Sequence, residues 1–174
     1  MKKLCLVVLA VFCLGVMGVA ADDDTTVLTA HLKGINETPP IATQGTGDFV
    51  ATIHPDGTIN FHLTFSNLET NAFVSHIHFG QPKILGGVMI FLCGGGGQPA
   101  CPASTSGTVD GTITAANVTG PVAQGIEAGD LTEALQVIFK GVGYVNVHST
   151  RFPGGEIRGP VQVRHGDGDG DDKK

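Results

Sequence analysis

The 174-residue chain carries 16 acidic against 10 basic residues, a formal charge of -6, no tryptophan and a single tyrosine. That balance repels phosphate backbones and anionic lipid surfaces and leaves few aromatic platforms for bases, which argues against nucleic acid and membrane-surface partners. The length suits a single domain with one core between two layers, and no second domain is needed.

Lys2 and Lys3 precede an apolar run from Leu4 to Val19, followed by Ala20, Ala21 and the acidic triplet Asp22 to Asp24. This reads as a secretory signal peptide over 1–21, cleaved after Ala20 or Ala21, because the run is short for a membrane span and ends in acid. Bulky Phe12 before Cys13 argues against a lipidation box. Loss of Lys2 and Lys3 takes the formal charge from -6 to -8. Cys5 and Cys13 leave with the leader, so Cys93 and Cys101 are the only cysteines of the mature chain and are expected to pair in an oxidising compartment. The expected location is secreted or periplasmic.

The body, 22–165, reads as short alternating segments punctuated by Gly, Pro and Asn. Strands are expected at Val27–Lys33, Gly47–Ile53, Thr58–Phe65, Phe73–Phe79, Gly87–Leu92, Gly107–Ile113, Gly143–Ser149 and Gly155–Val163. In the third, Phe61, Leu63 and Phe65 point one way and Asn60, His62 and Thr64 the other, so one face is core. His54-Pro55-Asp56-Gly57 is a hairpin turn, since Pro fixes φ and Gly accepts a positive one. One short helix is expected near 131–140, where Asp130 and Glu133 form a capping box and Leu131, Leu135 and Ile138 recur at helical spacing. The fold class is all-β, an antiparallel sandwich or a barrel-like Greek-key domain. The acidic tail, 166–174, has too little apolar surface to offset its ordering entropy and is expected to be disordered.

Three stretches stand out: Asn36 to Pro40 (NETPP), Ser75 to Gly80 (SHIHFG) and Gly143 to Val161 (GYVNVHSTRFPGGEIRGPV). Together and in this order they resemble the CHRD domain family, over roughly Leu28 to Val163. The resemblance implies a β-rich extracellular module of the kind found in chordin-type antagonists of bone morphogenetic proteins and in bacterial secreted proteins. It implies no settled activity for single-domain members, and this chain has none of chordin's cysteine-rich modules, so growth-factor binding does not carry over.

His76 and His78 share one strand face, with Ile77 opposite, and Tyr144, Asn146 and His148 share another, with Val145 and Val147 turned to the core. If the two strands are neighbours, three imidazoles converge, a ligand set that zinc or copper accepts, with Asn146 as an orienting group behind them. The alternative is a hydrogen-bonded framework in which the imidazoles meet backbone carbonyls and hydroxyls such as Ser75 or Thr150. HIH is also similar to the metal-binding strand of copper-zinc superoxide dismutases, but that family's other ligands and its arginine segment have no counterpart here. His31, His54, His62 and His165 are expected in solvent, in a turn or at the tail. Glu156 and Arg158 flank Ile157 and are expected as a structural ion pair, with Glu37 as another partner for Arg158.

HExxH, GxSxG and GxxxxGK are all missing, and no free cysteine is left as a nucleophile. The leading expectation is therefore a non-enzymatic binding or structural module for an extracellular or periplasmic protein or matrix component. A zinc- or copper-binding protein centred on His76, His78 and His148 is the second. The sequons at Asn36 and Asn117 matter only in a eukaryotic secretory route.

Overall fold

A computed structural model describes residues 25–165. The leader expected over 1–21 and the acidic tail expected over 166–174 lie outside these residues. The strands are β1 (Thr26–Lys33), β2 (Thr46–Ile53), β3 (Ile59–Ser66), β4 (Ala72–Phe79), β5 (Gly87–Cys93), β6 (Gly107–Ile113), β7 (Gly143–Ser149), β8 (Ile157–Pro160) and β9 (Gln162–His165). The single α-helix among the described residues, α1, spans Leu131–Phe139.

All strand pairs are antiparallel and belong to one sheet in the order β5-β4-β7-β8-β1-β2-β3-β6, with β9 also on β1. Of the two architectures expected, this is the nearly closed barrel. Its interior takes the apolar member of each alternation: Phe61, Leu63 and Phe65 from β3, Ile77 from β4, Val145 and Val147 from β7. The β2–β3 turn closes as its sequence dictates, with Gly57 at φ +83° and the Asp56 carboxylate accepting from the Thr58 amide at 2.8 Å.

The barrel's seam lies between edge strands β5 and β6. Cys93, at the end of β5, is joined by a disulfide to Cys101, and the enclosed loop reaches β6, where the Gln98 amide donates to the Thr112 carbonyl at 3.0 Å. The free edge of β5 is met by the Ile90–Val118 bridge and by the Thr119 amide on the Met89 carbonyl.

Two expectations need adjustment. The segment Gly155–Val163 is broken in two: β8 pairs with β7 and, at Arg158–Lys33, with β1, β9 continues along the start of β1 in the same register, and buried Val161 lies between them, bonded to the Gly143 carbonyl. Pro160 has no N–H to donate to the ladder, so the strand is interrupted there. In α1 the Asp130 half of the expected capping box is present, the Glu133 amide donating to Asp130, but the deepest residues are Ala134 and Ile138, while Leu131 and Leu135 are half-buried beside them.

Candidate metal centre

Every residue of β7 is buried, although strand alternation sends Tyr144, Asn146 and His148 away from the barrel core. A polar strand face normally meets water. Here the loops around Gly86, Pro153 and Gly155 pack over it, and the polar face becomes a second interior.

The register brings the three sequence motifs together. On adjacent strands His76 faces Asn146, which faces Arg158, while His78 faces Tyr144 and Val74 faces His148. β4 and β7 are therefore neighbours, and one potential ligand atom from each of His76, His78 and His148 lies within 4.8 Å of the others. All three imidazoles are about 7 % exposed.

The hydrogen bonds fix which nitrogens face inward. His78 Nδ1 donates to the Gly86 carbonyl at 3.0 Å, and its Nε2 is buried without a partner. His148 Nδ1 donates to the Pro153 carbonyl at 2.9 Å, leaving Nε2 against His76 Nδ1 at 3.1 Å. A ring N–H tied to a backbone carbonyl, with the opposite nitrogen presented as a lone pair, is how metal-bound histidines are held. These are the backbone carbonyls that the framework alternative also expects, supplied by Gly86 and Pro153, while the Ser75 hydroxyl donates instead to the Asn146 carbonyl.

Burial also keeps the rings neutral. It pushes His76 down to about 3 and His78 down to about 4, helped by the neighbouring imidazoles, and it lowers His148 as well. Neutral imidazoles are what a cation requires.

Around the histidines the packing is aromatic. Tyr144 stacks in parallel on His78 at 4.8 Å, and the Arg158 guanidinium lies 4.1 Å from the same ring. Phe91 packs edge-on against His76 at 4.5 Å. Phe91 in turn explains two glycines of the disulfide loop: a Cβ at Gly95 or Gly96 would lie 2.5 or 2.6 Å from its ring. Gly95 and Gly96 are the wall behind the ring that supports His76.

Glu37, from the NETPP motif, is buried beside Arg158 and Asn146, and burial raises its carboxyl to about 7 against the opposing pull of Arg158. Gly155, at φ +122°, leaves room for it, since a Cβ there would meet Glu37 Oε1 at 2.5 Å and Asn146 Nδ2 at 2.9 Å.

The expected Glu156–Arg158 ion pair does not form. Glu156 precedes β8, so strand alternation does not govern it; its carboxylate accepts from Thr43 and the Glu69 amide at 2.7 and 2.8 Å and from Ser149. Arg158 lies within β8, over Tyr144, and donates to the Ile84 carbonyl at 3.2 Å. Of the other histidines, exposed His31 and His62 pair with Asp48 and Asp110 at 2.7 and 2.6 Å on the far half of the sheet. His54 sits in its turn against Asn60.

A cavity of about 390 Å³ adjoins the centre, lined by Glu37, Tyr144 and Arg158 with Ile35, Pro82 and Lys83 nearer the surface. It shares Tyr144 with the ring stack but touches none of the three histidines, which are enclosed.

Compared with known families, residues 28–161 match the CHRD domain. The chain belongs to the CHRD domain family. No curated protein and no solved structure matches it. The matched span holds all three motifs of this CHRD domain, from Glu37 through the histidines to Arg158.

Proposed function

We propose that this CHRD domain acts outside the cytoplasm and holds a transition-metal ion, zinc or copper, through His76, His78 and His148. The observation that carries this reading is the direction of the nitrogens. Two rings are anchored outward on backbone carbonyls, and their inward nitrogens, with His76 Nδ1, surround one point. A purely structural polar core would satisfy its members, yet His78 Nε2 and, beside Asn146, Glu37 Oε1 are left without a partner. Closing ligand atoms that lie within 4.8 Å of one another onto an ion at about 2.0 Å needs side-chain movements on the order of 1 Å. The signal-like N-terminus, the family and the Cys93–Cys101 disulfide support extracytoplasmic placement.

The test is metal addition to chelator-treated mature protein. Zinc or copper is expected to raise the melting temperature by mass action, at about one ion per chain, and His78→Ala to abolish the rise. Unchanged melting with both metals, in protein that also carries none when isolated, overturns the reading.

A further inference from the structure

Asn146 meets the wrong nitrogen for an orienting residue. A group that orients a metal-bound imidazole binds the ring's outward N–H, and those positions on His78 and His148 are already taken by the Gly86 and Pro153 carbonyls. Asn146 Oδ1 instead lies 3.0 Å from His148 Nε2, the inward atom.

The protonation states make this contact informative. Because His148 donates through Nδ1 to a carbonyl, its Nε2 carries only a lone pair when the ring is neutral. An amide oxygen is likewise only an acceptor. In the metal-free chain the His76 Nδ1–H, 3.1 Å from His148 Nε2, is the one proton brought to these two lone pairs, which otherwise repel at 3.0 Å. A cation placed between them reverses the sign. Around zinc at about 2.0–2.1 Å, tetrahedral ligand atoms are about 3.3 Å apart, close to the 3.0 Å of this pair and the 3.1 Å between His76 Nδ1 and His148 Nε2.

The other end of the amide fixes its orientation. The glycine at 155 lets Glu37 Oε1 and Asn146 Nδ2 approach the same spot, 2.5 and 2.9 Å from where a Cβ would stand. With the N–H end turned to Glu37, Oδ1 turns to the histidines. Ligating groups are commonly held from behind in this way.

We propose that the Asn146 amide oxygen is the fourth ligand, making the centre a closed three-nitrogen, one-oxygen site for a four-coordinate divalent cation of the zinc class. The inference rests on the three-histidine reading and adds what that reading leaves open, the fourth position. Its functional consequence is large: three protein ligands plus an exchangeable water serve hydrolysis, whereas four protein ligands hold an ion without offering it to substrate. The enclosed histidines, outside the lining of the adjacent cavity, agree with retention of the ion and not turnover.

Cobalt(II), a spectroscopic stand-in for zinc, tests this on the full mature chain. Wild type is expected to give the intense visible absorption of a four-coordinate site that does not change when azide is added. Asn146→Ala is expected to bind zinc at least tenfold more weakly and to gain an azide response, since a position has opened. Asn146→Asp, which keeps the shape and supplies an anionic oxygen, is expected to bind at least tenfold more tightly. A wild-type spectrum that shifts with azide, or an aspartate variant no tighter than wild type, overturns the fourth ligand while leaving the three histidines standing. If either variant fails to fold, the azide experiment on wild type still decides. Failure of wild type to take up cobalt or zinc at all sinks the histidine site itself, and this inference with it.

Discussion

At the scale of residues, burial sets the charge of each group in the polar interior, and the sign of its effect on stability follows. His76 and His78 fall from 6.5 to about 3 and about 4 on folding. The folded chain therefore binds fewer protons than the unfolded one between those values and 6.5, so the stabilisation they contribute is present above 6.5 and lost as pH falls. Glu37, raised to about 7, acts the other way between 7 and 4.5, but the rings outnumber it, so metal-free protein, unfolded by urea at a series of pH values, should lose stability from about pH 6.5 towards pH 4. In His76→Gln that slope should be shallower, and an identical slope in both proteins would count against a buried neutral ring. The identities of these residues were legible in the sequence because the period of two places His76 with His78 and Asn146 with His148. Glu156 was misread for the same reason, since alternation was extended one residue past the start of β8.

At the scale of elements, strand alternation and the helix cap carried most of the information. Phe61, Leu63 and Phe65 lie inside, and Asp130 caps α1 as its spacing with Glu133 requires. The break at Val161 was hidden because Pro160 marks where a ladder is interrupted but not that the chain resumes on the same strand, here β1. Likewise, nothing in the glycine run names Phe91 as its contact, which arises only when the disulfide loop folds back on β5. That contact makes a prediction. Gly95→Ala would place a methyl 2.5 Å from Phe91 Cε1 and push the ring towards His76, 4.5 Å away. Zinc affinity should drop by roughly the tenfold or more that supporting residues command, with strand content unchanged by circular dichroism. Unaltered affinity in a folded Gly95→Ala protein would mean that Phe91 does not position His76.

At the scale of the whole molecule, one sheet makes two interiors. The inner face closes around Phe49, Leu63, Ile77 and Val145, and the outer face of β4, β7 and β8 is sealed by loops over histidines, Asn146 and Arg158. A sheet curled on itself brings the HIH strand beside the YVNVH strand although some 70 residues separate them, and this adjacency was the part of the site that periodicity alone does not supply. The NETPP segment arrives from the opposite end of the chain to place Glu37 behind Asn146. The disulfide-closed loop bridges the seam at β5 and β6 and, through Phe91, reaches the same centre. All of this is arranged around a point between three imidazoles. The most direct measurement is therefore anomalous diffraction at the zinc edge from crystals of the mature protein grown with zinc. The account predicts one strong peak about 2.0–2.1 Å from His78 Nε2, His148 Nε2 and His76 Nδ1; crystals whose only zinc lies elsewhere, for instance at the exposed His31–Asp48 pair, would contradict it.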